Sequence, residues 1–559
     1  MEEPVTFKGQ PSMGVVYTKQ SVVSLILDLI GYVPSKDLST IRIMDVGCGY
    51  GQFIGEVTRR FALSCKSHGL NRRDAVASAK ENLRGVEIDP ETAMAARSRI
   101  CHEFDGIYGA GYEFTPMGNN IVHVADFLDW NEEIGGFEFI VGNLPYVKYE
   151  SIKNLPNAKD IHWIQEHYSS FRGRADYSVA FVEEILKLLA EKGKAGIITS
   201  NRFTQSEYGK NLRIILANAK LHLDELDLSG VDAFDDDVSA YASAFLIKLG
   251  DGGSGRYIRL RSMDNVGLSS LLRADLARAK STQWYSAFSR GTLPRDGTPW
   301  APLPGRVVSI LRRLERNHPT ICQAGFAVRN GPATGANGVF IRGYNRFPMT
   351  SRTKKRYLLP LYSSRRRGLS GDESANRYLL SVYEPGSRRL LDLDEIPNDM
   401  RDYLLQNKRV LEERYIVKNE GKEWWRTIDS YDPDIMRKHK VLIPDLQYGQ
   451  GIRFDWGRHF PDHTVAYVIG ASKESRKLTA VLRSPIIDLM RLWKSPAMRG
   501  GTPRASANAI SRLPCPDLDR MDSANPTEID AYQVFNAYEI STADVARIES
   551  IHSTVLKAF

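Results

Sequence analysis

The sequence has no CxxC pair, no GK[ST] phosphate loop and no low-complexity tract. It also has no apolar run approaching the about 20 residues that cross a bilayer. Its five cysteines (Cys48, Cys65, Cys101, Cys322 and Cys515) are scattered through 559 residues. That distribution excludes a disulfide framework or a zinc ribbon and suits the reduced cytoplasm. The opening MEEPVTFKGQ is acidic and then polar, the wrong order for a signal peptide, so a cytoplasmic location without membrane contact is expected. What is present is ordinary for a soluble globular chain: 42% hydrophobic and 25% charged residues, with length for two or three domains. A net charge of +8 admits a polyanionic partner without requiring one.

The first half alternates strand and helix patterns. SVVSLILDLI (21–30) has apolar residues at helical spacing, and a short strand then runs into IRIMDVGCGYGQF (41–53). GVEIDP (85–90), IVHVADFL (121–128), FEFIVGNLPY (137–146) and KAGIITS (194–200) read as further strands, with ETAMAARSRI and DYSVAFVEEILKLLA as helices between them. This order predicts an α/β fold: a Rossmann-like, doubly wound parallel sheet, whose ligands bind at the carboxyl ends of the strands. The polar residues of these segments fall at those ends.

Gly47-Cys48-Gly49-Tyr50-Gly51 is not the GxGxxG dinucleotide fingerprint. Asp45, directly before it, would repel a pyrophosphate and better suits a cofactor with an amino group and a ribose. Glu87 ends the second strand, where a carboxylate accepts bonds from ribose hydroxyls. Asp126 ends the third, placed for an adenine amino group or, equally, for a helix cap. Singly, these residues read as a tight turn and solvated strand-end acids. Three acids at three successive strand ends point to a nucleoside site. Cys48, inside the loop, reads as a small packing residue.

DVGCGYG, GVEIDP, ADFL and GNLPYV, in that order, resemble the S-adenosylmethionine and catalytic motifs of adenine-N6 DNA methyltransferases of the gamma class. GVVYTKQSVV (14–23) resembles the segment that precedes the glycine loop in that class, and VDAFDDDVSAYASAFLIK (231–248) the segment that stacks on the target base. The resemblance covers the N-terminal 250 residues. It implies S-adenosylmethionine as cofactor, held by Tyr17, Thr18, Asp45, Gly47, Gly49, Gly51, Glu87, Ile88, Asp126, Phe127 and Asn143. It also implies a catalytic loop Asn143-Leu144-Pro145-Tyr146, with Tyr146 and Phe234 stacking on a flipped adenine. Lys19 stands where the family usually has Pro, and Leu144 departs from its usual Asn-Pro-Pro-Tyr. The position uses a backbone carbonyl, which Leu supplies, while Pro145 keeps residue 144 extended. Some pre-organisation is lost with the missing proline ring, and an active enzyme is still expected.

Cytosine-C5 chemistry is disfavoured because the Pro-Cys pair, Pro514-Cys515, lies far downstream of the loop. Cytosine-N4 transfer uses nearly the same groups and stays open. So does a different class, a catalytically lapsed DNA-binding specificity protein, although intact cofactor motifs argue against it. A release-factor glutamine methyltransferase would lack the large basic second half. A fused nuclease is disfavoured because Gly14 leaves no room for one upstream and Glu420-Gly421-Lys422 reads as surface. No metal site is visible, and the transfer needs none.

GDGGSG (250–255) reads as a linker. Beyond it, RTKKRYLLPLYSSRRR (352–367) holds seven Lys/Arg and no acid, with Tyr357 and Tyr362 interleaved. Lys354, Lys355, Arg356, Arg365, Arg366 and Arg367, together with Arg499 and Arg504, are candidate phosphate contacts. VRNGPATGANGVFI (328–341) and MRGGTPRASANAISRLPCP (498–516) resemble the segments that open and close target-recognition domains of this family. The expected organisation is a catalytic domain 1–250, a connector 251–300, a mixed α+β DNA-recognition domain 301–517 and a helical tail 518–559. Double-stranded DNA is the expected partner, a separate restriction endonuclease is admissible, and a monomer is the default.

Overall fold

In the strand Ile43–Val46 every residue is buried, but successive side chains enter different cores. Ile43 joins one apolar cluster with Val141 and Ile198, while Met44 and Val46 join another with Ile140 and Ile197. A period of two that feeds two cores describes a sheet covered on both faces. In the computed structural model the described residues are 17–109, 114–130, 136–235, 242–250, 252–263, 271, 280–363, 377–445, 451–494, 505–522 and 528–556. They fall into two compact units, one of the residues up to Val308 with those from Thr554 onward, and the other of those between Ser309 and Ser553.

The strands of the first unit are β1 (Ile43–Val46), β2 (Leu83–Glu87), β3 (Val122–Val124), β4 (Phe137–Asn143), β5 (Leu189–Ser200), β6 (Leu221–Asp227), β7 (Ala242–Leu249), β8 (Ser254–Leu260), β9 (Lys280–Ser281) and β10 (Tyr285–Thr292). They form one sheet in the order β3-β2-β1-β4-β5-β7-β6-β8-β10-β9. Strands β1 to β5 pair in parallel, whereas β7 runs antiparallel to both β5 and β6. The helices Gln20–Ile30, Gln52–Ser67 and Pro90–Tyr108 bury their apolar stripes in the first cluster, and Ser178–Leu188 buries its stripe in the second. The order reverses between β1 and β4, which opens a crevice at their carboxyl ends.

Segment 251–300 differs from the expected connector. Gly250, Gly252 and Gly253 turn at φ 85°, 63° and 72°, Gly255 already lies in β8, and the chain thereby re-enters the same sheet. Left-handed glycines serve tight turns and linkers alike, so composition could not separate the two. A buried ion pair, Arg290 Nη2 to Glu225 Oε2 at 2.5 Å, ties β10 to β6.

The second unit is mixed α+β. Its strands are β11 (Ala327–Asn330), β12 (Ile341–Arg342), β13 (Leu358–Tyr362), β14 (Tyr378–Leu380), β15 (Lys440–Pro444), β16 (Arg453–Asp455), β17 (Phe460–Pro461) and β18 (Val465–Ile469). They build two sheets, β11-β18-β15-β16 and β12-β14-β13-β17, around a core that includes Phe340, Leu380, Leu442 and Phe460. The C-terminal helices Ala531–Ala537 and Thr542–Leu556 follow, and buried Tyr538 donates its hydroxyl to Pro514 O at 2.7 Å. Among the described residues no helix is long and apolar enough to cross a membrane.

Candidate functional site

The loop after β1 explains its three glycines. Gly47, Gly49 and Gly51 have φ of 64°, 53° and 85°, where a Cβ is strained. The turn delivers the chain into the helix Gln52–Ser67, whose first N–H groups lack intrahelical acceptors. One of them, Ile54 N–H, donates to Asp45 Oδ2 at 2.8 Å. The other carboxylate oxygen, Asp45 Oδ1, is buried and has no hydrogen-bond partner among the described residues. Burial pushes the Asp45 carboxyl up to about 8; the Ile54 bond opposes the rise and nearby Glu87 adds to it.

Glu87, at the end of β2, holds the glycine loop from the other side. Its Oε2 accepts Gly49 N–H at 2.8 Å and its Oε1 accepts Asp89 N–H at 3.1 Å. Burial raises its carboxyl as well. Asp126 performs the capping alternative foreseen for it: Oδ1 accepts Leu128 N–H at 3.0 Å at the head of a short 3-10 turn. Its Oδ2 accepts Lys159 N–H at 2.9 Å, which fastens the irregular segment 153–160 beside the strand ends.

Asn143 closes β4. Gly142 before it lets β4 approach β1, since a Cβ there would sit 2.4 Å from Val46 O. The Asn143 Nδ2 donates to Thr18 Oγ1 at 3.1 Å, and Thr18 also forms a β-bridge with Phe234. Lys19 N–H to Ala233 O and Asp235 N–H to Tyr17 O, both 3.1 Å, extend that pairing. Segments far apart in sequence therefore meet at Asn143. The side chain of Leu144 is fully buried, and its N–H donates to Ile198 O at 2.8 Å, continuing the β4–β5 ladder. A proline there has no such donor. The hydrogen bond restrains the loop where the ring is missing. Tyr146 is half-buried with its hydroxyl turned inward, and burial raises that hydroxyl far above its ordinary value.

These strand ends enclose a cavity of about 370 Å³. Of the sequence candidates, Thr18, Asp45, Gly47, Gly49, Glu87, Ile88, Asp126, Phe127, Asn143 and Pro145 line it. Tyr17, Gly51, Leu144, Tyr146 and Phe234 do not. Tyr17 stacks on Tyr50 with centroids 5.2 Å apart, Gly51 caps the following helix, and Tyr146 and Phe234 pack against the first core cluster. Sequence reasoning missed the opposite wall, formed by Leu155, Pro156, Asn157, Tyr177 and Phe181. The i,i+4 spacing of Tyr177 and Phe181 was the available signal. Asn157 sits in an irregular loop at φ 60°, a conformation no periodicity reports.

In the second unit, Lys354, Lys355 and Arg356 lie on the helix Ser351–Tyr357, with Lys354 Nζ 5.1 Å from the centre of the Tyr344 ring. Tyr357 and Tyr362 are buried core residues and do not interleave with these cations at the surface. A strand and a helix end bury one residue in two or three whatever the charge of the neighbours. Arg365, Arg366, Arg367, Arg499 and Arg504 lie outside the described residues.

Residues 81–234 match the family model of the Eco57I restriction-modification methylases. The whole chain is similar to type II methyltransferases. It is 29% identical to M.BstVI of Geobacillus stearothermophilus, with 97% of each chain covered. It is 28% identical to M.PaeR7I of Pseudomonas aeruginosa, over 92% of this chain and 88% of that one. The fold is similar to that of the type IIL restriction-modification enzyme MmeI, solved in complex with DNA. The TM-score is 0.60 at 13% identity, over 96% of this chain and 76% of the other. The chain is thus similar over its length to type II methyltransferases, and in fold to a restriction–modification enzyme.

Proposed function

We propose that the protein methylates the N6 amino group of an adenine flipped out of double-stranded DNA. The observation that carries this reading is that Thr18, which lines the cavity with Asn143 and accepts its amide N–H, is also bridged to Phe234. Bound S-adenosylmethionine supplies an electrophilic methyl group on a sulfonium. Unpartnered Asp45 Oδ1 and the Glu87 carboxyl line the cavity with acid groups that a cationic ligand stabilises in their charged form, and Ile88, Phe127 and Phe181 give it apolar surfaces that suit an adenosine ring.

The adenine amino nitrogen is a weak nucleophile because its lone pair is delocalised into the ring. Asn143 Oδ1 and the Leu144 carbonyl accept its two hydrogens and draw it toward tetrahedral geometry. So held, the nitrogen could take the methyl group that the sulfonium would supply, leaving a neutral thioether and giving one amino proton to solvent. Thr18 keeps the Asn143 amide oriented with its oxygen as the acceptor end. Orientation and electrostatic complementarity drive the step, without a covalent enzyme intermediate. Tyr146 and Phe234 stack on the extruded base, a contact worth about 1–3 kcal/mol per base in single-strand systems. The second unit reads the duplex, with Lys354, Lys355 and Arg356 among its phosphate contacts.

The test is nucleoside analysis of unmethylated duplex DNA incubated with the purified chain and S-adenosylmethionine, beside Asn143→Ala. The reading expects N6-methyladenine, reduced by roughly 10²–10³-fold in the variant. N4-methylcytosine would replace adenine by cytosine as the target. No modified base from a chain that binds the cofactor would refute methyl transfer to DNA.

A further inference from the structure

The edge strand of one sheet in the second unit, β16, leads into a turn that is built with unusual firmness around an exposed tryptophan. Asp455 Oδ2 accepts Gly457 N–H and Arg458 N–H, both at 3.1 Å, and His459 N–H at 3.3 Å. It also accepts Lys440 Nζ at 2.7 Å, while Oδ1 meets His459 Nδ1 at 2.9 Å. Lys440 is fully buried and further donates to Met436 O and Lys438 O, both at 3.0 Å. Burial alone would raise the Asp455 carboxyl, but the His459 and Lys440 bonds hold it at about 2. Gly457 is at φ 85°, and a Cβ there would lie 2.4 Å from Arg437 O. The turn therefore has little freedom to rearrange.

What the turn displays is Trp456, 53% exposed. Its ring is met edge-on by Phe454 at 4.9 Å and His439 at 5.4 Å, and the Arg476 guanidinium stands 5.1 Å from its centre. His439 Nδ1 is held by Ser472 Oγ at 3.0 Å. Lys438, Arg458 and Lys473, neighbours in the chain of these residues, are all solvent-accessible. Among the described residues none of these three, nor Arg476, is in an ion pair. The acids nearby are partly covered: Glu474, and Asp434, which pairs with Arg437 at 3.7 Å.

We propose that this face is a DNA-backbone contact, with Lys438, Arg458, Lys473 and Arg476 facing phosphates and the Trp456 indole packing against the sugars between them. The inference rests on the reading of the chain as a DNA methyltransferase and assigns it a binding surface outside the basic run 352–367. Charge decides between occupants. Protein interfaces favour Trp and Arg but are depleted in Lys, whereas unpaired lysines around an aromatic suit a polyanion. Such contacts set register on the duplex rather than read bases.

The experiment measures affinity of the full chain for a fluorescent duplex across a salt series, in wild type, Lys438→Ala/Arg458→Ala and Trp456→Ala. S-adenosylmethionine affinity and thermal melting are recorded for each. The charge variant is expected to flatten the plot of log K against log salt by about 0.9 for each phosphate that is no longer neutralised. Trp456→Ala is expected to weaken binding several-fold with the slope kept, and both variants are expected to keep wild-type cofactor affinity and melting. Unchanged DNA affinity and slope in folded variants would overturn the proposal and leave the face to a protein partner. Wild-type chain that binds the cofactor but no duplex at any salt would instead overturn the DNA methyltransferase reading on which the proposal rests.

Discussion

At the residue scale, Asp45 carries the sharpest consequence. Its carboxyl, at about 8 in the fold, binds its proton more tightly there than in the unfolded chain. It therefore favours the folded state below the ordinary carboxyl value, and that contribution is lost as pH rises through about 8. A cationic ligand beside Asp45 stabilises the charged form instead. Binding of S-adenosylmethionine should thus release a proton below about pH 8 and tighten as pH rises toward that value. Calorimetry in buffers of different ionisation enthalpy measures the release. Asp45→Asn should abolish it, and an unchanged release in that variant would contradict the assignment.

Leu144 makes the opposite point about family patterns. Restoring the proline with Leu144→Pro removes the N–H bonded to Ile198 O and trims a fully buried side chain. The expected result is a loss of about 1–3 kcal/mol on chemical denaturation, with no gain in kcat. A more stable or faster variant would show that the ladder bond does not replace the ring. Asn143 and the three acids stood out in the sequence because polar groups at strand ends break an apolar pattern, and the structure gathers them around one cavity. It did not reveal that Asp126 fastens segment 153–160, because the acceptor meets a backbone N–H.

At the scale of elements, strands β1 to β5 were legible because their apolar runs end in abruptly polar residues, and β1 and β2 are buried at every position. Strands β8 to β10 were not. Their buried polar partners, Arg290 of β10 paired with Glu225 of β6 and the Tyr257 hydroxyl of β8 beside Asp227 of β6, read as surface positions in one dimension. The Arg290–Glu225 pair tests the extended sheet. Arg290→Ala strands a buried carboxylate and should cost about 3–5 kcal/mol in urea unfolding, whereas Arg290→Met with Glu225→Leu should recover most of it. A loss under about 1 kcal/mol in the single variant would mean that β10 contributes little to the first unit.

At the scale of the whole molecule, the surface proposed for duplex recognition in the second half is distributed differently from the basic run of the sequence. The tyrosines that punctuate the basic run 352–367 are core, while Trp456, in a stretch with no motif, is surface. Whether both halves act on one substrate is tested most directly by single-molecule sequencing of plasmid DNA from a methylation-deficient host that expresses this chain alone, beside Asn143→Ala. The account predicts N6-methyladenine at one recurring sequence in the wild type and none in the variant. Unmodified DNA in both, from soluble chain that binds S-adenosylmethionine, would contradict it.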